Sequence, residues 1–245
     1  MELFDTTIRS VRTFVNGLEG RKTWIADSSK TWQTGGNRNI VLNEDMGLEL
    51  GSPECESLSS LLWTADLSAV SDNRITLVGP DFPESEGKSL PFAKVVLVGV
   101  KDFTEENTYE RYRAMELIRY GLDLKGFMLR AVSQYGKEWC RISREAIRGG
   151  FSSAILGSHL LRMFREKDYV KAGEIIFITS TTTDVRLMRD ITAPAAKVIA
   201  AMNKMASEMD FDCDDCEYQD VCDDATELKR MRDRLMDKTA RGKHG

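Results

Sequence analysis

The chain has only two histidines, His159 and His244, among its 245 residues. Because histidine is the side chain that most often moves protons near neutral pH, this scarcity argues against conventional histidine-based catalysis. Positive charge is also in deficit, with 34 Lys and Arg against 39 Asp and Glu. The net charge of -5 supplies no overall attraction for nucleic acid or for an anionic membrane, so we expect neither as a partner.

Long apolar runs are missing as well. No segment approaches the roughly 18 consecutive apolar residues that a spanning helix needs, and residues 1–14 are amphipathic instead of signal-peptide-like. We therefore expect a cytoplasmic protein. The chain is long enough to bury a sizeable core, and its 42% hydrophobic and 30% charged residues suit a globular protein.

The order of the periodic segments predicts an α+β fold. Short β-branched or leucine-rich runs come first, and no crossover helix separates them, which favours a mostly antiparallel sheet. Helical periodicity dominates later, and Pro194 is expected to break one helix. We expect helices packed on this sheet over residues 1–209, then an acidic cysteine-containing segment and a charged helix over residues 210–245. The predicted strands are 39–43, 47–51, 60–65, 74–79, 92–100, 138–143 and 174–180.

Three of the five cysteines lie within ten residues, in the segment FDCDDCEYQDVCDD (211–224). Cys213, Cys216 and Cys222 have the spacing Cys-x2-Cys-x5-Cys, which lets sulfurs converge on a zinc ion or an iron–sulfur cluster. A fourth thiolate would have to come from Cys140 or, as the second choice, Cys55. Because the surrounding carboxylates disfavour the negatively charged thiolate, we do not expect these cysteines to act as free nucleophiles. The competing interpretation is a solvated acidic turn with three unligated cysteines.

A basic group surrounds Trp139. Arg141, Arg144 and Arg148 follow it, and Arg130 and Lys137 precede it. Arginines near an aromatic ring can hold the phosphates and adenine of a nucleotide-like ligand such as coenzyme A. The alternative is a solvated helix face.

Four blocks of sequence resemble a known family in order and approximate spacing. They are NIVLNEDMGLELGSPECESLSSLLWT (39–64), RITLVGPDFPESEGKSLPFAKVVLVGV (74–100), WCRISREAIRGGF (139–151) and GEIIFITS (173–180). Together they resemble the middle domain of the acetyl-CoA synthase (beta) subunit of the carbon monoxide dehydrogenase/acetyl-CoA synthase complex, over roughly residues 39–209.

This resemblance implies an α+β fold and a role in anaerobic one-carbon metabolism, near coenzyme A or a corrinoid methyl carrier. The Gly-Cys-Gly-Cys run of the family's catalytic cluster is absent from this sequence, and its Trp-His-x-Gly-Gln-Arg segment has no counterpart before Trp139. We therefore expect an accessory iron–sulfur protein with a [4Fe-4S] cluster, or with zinc as the alternative metal, that transfers electrons or binds partners. Those partners would be other subunits of this complex or of a corrinoid methyltransferase system. The alternatives are a coenzyme A-binding component of the synthase and a structural protein-binding module.

Overall fold

The structure is a computed structural model that describes residues 2–27, 29, 31–36, 39–85, 87–133, 136–207 and 216–242, without the side chains of residues 131–133, 207, 235 and 237–242. The described strands are β1 (Arg21–Ile25), β2 (Met46–Leu50), β3 (Ser57–Thr64), β4 (Arg74–Val78), β5 (Lys88–Leu90), β6 (Phe92–Val100), β7 (Phe127–Ser133), β8 (Lys137–Ser143) and β9 (Val170–Ile178). The described helices are α1 (Asp5–Gly17), α2 (Thr108–Glu116), α3 (Arg144–Arg148), α4 (Ser153–Arg165), α5 (Thr182–Ser207), α6 (Gln219–Asp224) and α7 (Thr226–Gly242).

The strands form two mixed sheets. Sheet A has the order β1-β4-β9-β6-β3, and sheet B has the order β5-β2-β8-β7. The pairs β2–β5, β3–β6 and β4–β9 are parallel, while β1–β4, β2–β8, β6–β9 and β7–β8 are antiparallel. The α+β class is confirmed, but the expectation of a mostly antiparallel sheet is wrong.

The reason for the mixed pairing is topological. A parallel pair needs a long connection between its two strands, and a helix is only one form that this connection can take. Here β3 and β6 are joined through β4 and β5, while β4 and β9 are joined through most of the middle of the chain. The absence of a crossover helix between consecutive strands therefore did not decide their orientation.

Helices cover sheet A on both faces. On one face α4 packs so closely that a Cβ atom added at Gly157 would lie 2.9 Å from the side chain of Ile75 in β4. Alternate residues of β4 and β9 point to the opposite face, where α1 lies against the sheet. The large side chains Trp63, Phe4, Phe92 and Phe177 are at most 1% exposed, so the core extends through both layers.

The C-terminal helices pack on α5. This helix runs through Pro194, so the expected break there is wrong. Seven of its side chains hold α5 against its neighbours although Pro194 cannot donate a backbone hydrogen bond. These buried residues are Val185, Met188, Ala195, Val198, Ala201, Met202 and Met205. Cys222 of α6 and Leu228 and Met231 of α7 are buried in the same core cluster. None of the helices in the described ranges is long and apolar enough to span a membrane.

Candidate functional site

The predicted residues Trp139 and Arg141 lie side by side on the outer face of sheet B. Along β8, Glu138, Cys140 and Ile142 are buried, while Trp139 and Arg141 alternate with them and are half-buried. Arg130 of β7 completes the group, which we call the Arg–Trp face. The guanidinium carbons of Arg130 and Arg141 lie 4.9 and 5.6 Å from the centre of the Trp139 ring, within the range of cation–π attraction.

The two arginines of the Arg–Trp face differ in how they are held. Arg141 Nε donates to Glu49 Oε1 at 2.6 Å, and both side chains are nearly buried. Arg130 is exposed, and no ion pair to it is found among the described residues. Arg130 is therefore the cation of this face that is most open to an incoming ligand.

The predicted residues Arg144 and Arg148 lie on the next element, α3. The helix begins directly after β8 because Ser143 caps it, its hydroxyl accepting from the Ala146 amide at 3.1 Å. Arg144 Nη1 donates to the Glu44 carbonyl at 2.8 Å and lines a cleft at the end of sheet B, away from the Trp139 ring. Arg148 has interaction partners of its own. The structure thus brings Arg141 and Trp139 together and directs Arg144 elsewhere.

The cleft has a volume of about 950 Å³, which is large enough for a cofactor-sized ligand or a partner's loop. It lies between the segments 31–35 and 39–45 on one side and the start of α3 on the other. Asn39 holds its side of the cleft against the turn before β7. Its Nδ2 donates to the carbonyls of Leu124 and Phe127 at 2.9 Å, and its Oδ1 accepts from the Gly126 amide at 3.0 Å. A second hollow, lined by Asn39 and Arg130 among others, adjoins the Arg–Trp face.

Apolar side chains are exposed beside both hollows. Ile40, which lines the cleft, is 67% exposed, and Tyr120, which lines the second hollow, is 60% exposed. Exposed apolar groups beside ordered concave surfaces are typical of interaction sites. We call Ile40 and Tyr120 the apolar rim. The sequence did not reveal this rim, because it predicts a strand at residues 39–43; that prediction is wrong, since the structure has no strand there.

Of the five cysteines predicted as metal ligands, the four in the described part of the chain occupy three separate places. Cys216 and Cys222 line one small hollow against α5, together with Met205. Cys140 is fully buried in β8, and Cys55 lies in the turn between β2 and β3. Cys213 lies outside the described residues. Within the described ranges no three His, Cys, Asp or Glu side chains are grouped as metal ligands would be, so the four-cysteine site stays a prediction.

A buried ion pair joins the two sheets beside Cys140. Lys94 Nζ of β6 lies 2.6 and 2.5 Å from the two carboxylate oxygens of Glu138 in β8, and both side chains are at most 5% exposed. Ser59 Oγ also donates to Glu138 Oε2 at 3.2 Å. Burial, and then the Glu138 carboxylate 3.7 Å from Cys140 Sγ, raise the pKa of this thiol well above its ordinary value. The signal in the sequence that could have revealed this pair is Lys94, a charged residue within the apolar run PFAKVVLVGV (91–100).

Comparison with known proteins places these features in a family. The family model described as CO dehydrogenase/acetyl-CoA synthase complex beta subunit matches residues 34–184, more than half of the chain. The beta 1 subunit of the acetyl-CoA decarbonylase/synthase complex of Methanosarcina thermophila is 27% identical over 70% of this chain and 36% of its own length.

Two further relatives carry a similar name. The beta subunit of Archaeoglobus fulgidus is 26% identical over 69% of this chain and 32% of its own length, and that of Methanothermobacter thermautotrophicus is 35% identical over 52% and 26%. The chain thus spans about a third of the length of these relatives or less.

Proposed function

Because the chain belongs to the CO dehydrogenase/acetyl-CoA synthase complex beta subunit family, we propose that it is an accessory, partner-binding component of an acetyl-CoA decarbonylase/synthase type of assembly. Its setting would be anaerobic one-carbon metabolism. The relatives are named as subunits of such a complex, which supports subunits of this kind as partners. The observation that carries the proposal is the apolar rim beside the large cleft, because both rim residues and most of the residues that line the cleft lie within the matched residues 34–184.

Purified subunits of an acetyl-CoA decarbonylase/synthase complex provide the test, with binding to the immobilised chain measured by biolayer interferometry. Ile40→Arg places a charge on the rim and should weaken binding at least about tenfold, as expected for an interface anchor. Ile25→Arg is the matched control, since Ile25 is 69% exposed on the edge strand of sheet A against 67% for Ile40. Absence of binding by the unmodified chain, or equal losses in both variants, would reject the proposal.

A second candidate function is coenzyme A binding, which the Arg–Trp face favours. The Trp139 ring supplies a stacking surface for adenine, and the exposed Arg130 guanidinium supplies a forked donor for phosphate. Arg141 is the poorer phosphate ligand, because its charge is already paired with Glu49.

Calorimetric titration with coenzyme A tests this candidate. Arg130→Gln should weaken binding several-fold, whereas Arg113→Gln on α2, which removes another partly exposed arginine, should leave it unchanged. Arg141→Gln is the less informative variant, since it leaves the Glu49 carboxylate without its cation. No measurable heat from the unmodified protein at any coenzyme A concentration would exclude this function.

A third candidate is the iron–sulfur or zinc site of the cysteine segment. Cys216 and Cys222 face the same hollow, so they could supply two ligands, and Cys213 would have to supply a third. The position of Cys140 between the sheets does not favour it as the fourth ligand.

Anaerobic purification followed by iron, sulfide, zinc and nickel analysis tests this third candidate. Stoichiometric metal that is lost in Cys216→Ser and kept in Cys140→Ser would support the site, and Cys55→Ser would show whether Cys55 is the fourth ligand. A metal-free protein with an intact fold would reject it.

A further inference from the structure

We propose a binding site for a small phosphorylated molecule in a cavity between α1 and sheet A, remote from the Arg–Trp face. The cavity has a volume of about 300 Å³ and is lined by Arg12, Arg21 and Arg74 together with Thr23, Thr76 and Glu174. Part of its wall, residues 12–23, precedes the segment that matches the family. The inference is therefore independent of the proposed function.

The charges in this cavity are unequal. The Glu174 carboxylate is already engaged, because its Oε1 accepts from Arg74 at 2.6 and 2.9 Å and its Oε2 accepts from the Ser71 amide at 3.0 Å. Arg74 and Glu174 therefore neutralise each other. The other two arginines add two positive charges to the lining.

Arg12 and Arg21 have only neutral partners among the described residues. Arg12 donates to the Ala69 carbonyl at 2.7 Å and to Ser71 Oγ at 3.0 Å. Arg21 Nη1 donates to the Val15 carbonyl at 3.0 Å and to Asn16 Oδ1 at 2.9 Å. These bonds hold both guanidinium groups in place without cancelling their charges, and the bond to Val15 also covers a carbonyl at the negative end of α1.

The donors that remain fit a phosphate. A guanidinium has five N–H donors, and the bonds above use two on each of the three arginines, so three donors on each remain for a ligand. A tetrahedral dianion accepts hydrogen bonds from several directions and matches two uncompensated cations. The cavity is larger than a phosphate ion, which leaves room for the organic part of a phosphate monoester.

The ligand can reach the site from solvent. Arg21 and Thr23 are exposed on β1, which is an edge strand of sheet A. Their neighbour Lys22 points to the opposite face, where its Nζ pairs with Glu84 Oε1 at 2.5 Å. Lys22 therefore offers a matched control that removes the same charge from the same strand without touching the cavity.

Isothermal titration with inorganic phosphate and with glycerol 3-phosphate, at ionic strength matched by chloride, tests the inference. We expect saturable binding by the unmodified chain, a loss of at least about tenfold in Arg21→Gln, and a change of less than about twofold in Lys22→Gln. Equal losses in the two variants would mean general charge attraction, and tighter binding of succinate than of phosphate would mean a carboxylate site. Either result, or the absence of saturable binding, overturns the proposal.

Amide chemical shifts of the unmodified protein give a second readout that needs no variant. Phosphate should shift the amides of Arg21 to Thr23 and of Arg74 to Thr76. Saturable shifts confined to other parts of the chain would refute the location even if Arg21→Gln failed to fold.

Discussion

Replacing Lys94 with methionine leaves the Glu138 carboxylate buried between the two sheets without its cation. Glu138 is 3% exposed, and within the described ranges the other side chains that donate to its carboxylate are Ser59 Oγ at 3.2 Å and, as a weak thiol donor, Cys140 Sγ at 3.7 Å. Removing one partner of a buried ion pair costs about 3–5 kcal/mol, and the hydrogen bond from Ser59 offsets roughly 1 kcal/mol of this. We therefore expect Lys94→Met to lower the free energy of unfolding by about 3 kcal/mol.

A double variant separates the contribution of the two charges to stability from the contribution of the side-chain volume. Lys94→Met combined with Glu138→Met removes both charges and keeps a similar side-chain volume, so we expect its stability to lie within about 1 kcal/mol of the parent. For a chain of this size the single variant should melt roughly 6–12 °C lower, and the double variant should recover most of that loss.

Equilibrium urea denaturation followed by circular dichroism provides the measurement. Lys125→Met is the control, because Lys125 pairs with Glu145 at the surface at 2.9 Å and should cost at most about 1 kcal/mol. The reasoning would be refuted if Lys94→Met cost no more than this control, or if the double variant were as unstable as the two single variants added together.

Three further predictions concern single residues. Gly51→Ala should lower the free energy of unfolding by roughly 3 kcal/mol in a thermal melt, because φ is +62° and the new Cβ would lie 2.4 Å from the Glu138 carbonyl oxygen. Gly87→Ala is the control: its φ is +78° but no atom lies within 4 Å of the new Cβ, so it should lower the free energy by only about 1 kcal/mol. Equal losses in the two variants would contradict this reasoning. Burial lowers the pKa of His159 from its ordinary value of 6.5, so the unfolded chain takes up the proton first as the pH falls. The free energy of unfolding should therefore decrease as the pH drops below 6.5. Urea titrations at several pH values would measure this, and His159→Gln should flatten the dependence. Cys140 should resist iodoacetamide in the folded protein while the half-buried Cys55 reacts, as mass spectrometry of the labelled peptides would show; early labelling of Cys140 would mean that the sheets open.

Local patterns predicted those elements whose apolar residues repeat regularly. The run 92–100 is a strand with the predicted bounds, and the predicted strands 74–79 and 138–143 differ from the observed ones by a single residue. In each case the run is β-branched or alternates between buried and half-buried positions. The family resemblance, carried by whole blocks of sequence, is confirmed.

What the sequence did not predict depends on contacts between distant residues. β1 is not among the strands predicted from the sequence, and it is a strand because Arg21–Ile25 pair with Arg74–Val78. β7 was also missed, and it is held by β8. The side-by-side placement of Arg130 and Trp139 likewise follows from the register of these two strands, which the local sequence does not reveal.

The position of β9 in sheet A has a consequence for synthesis of the chain on the ribosome. β9 pairs with β4 on one side and with β6 on the other, yet its residues are made about 70 or more positions after both. Until residues 170–178 emerge, the apolar strands β4 and β6 have no central partner, and the nascent chain exposes their edges. Because such late, long-range pairing is slow and leaves aggregation-prone edges, slower translation up to β9 should increase the demand for chaperones, whereas faster delivery of β9 should raise the yield of folded protein.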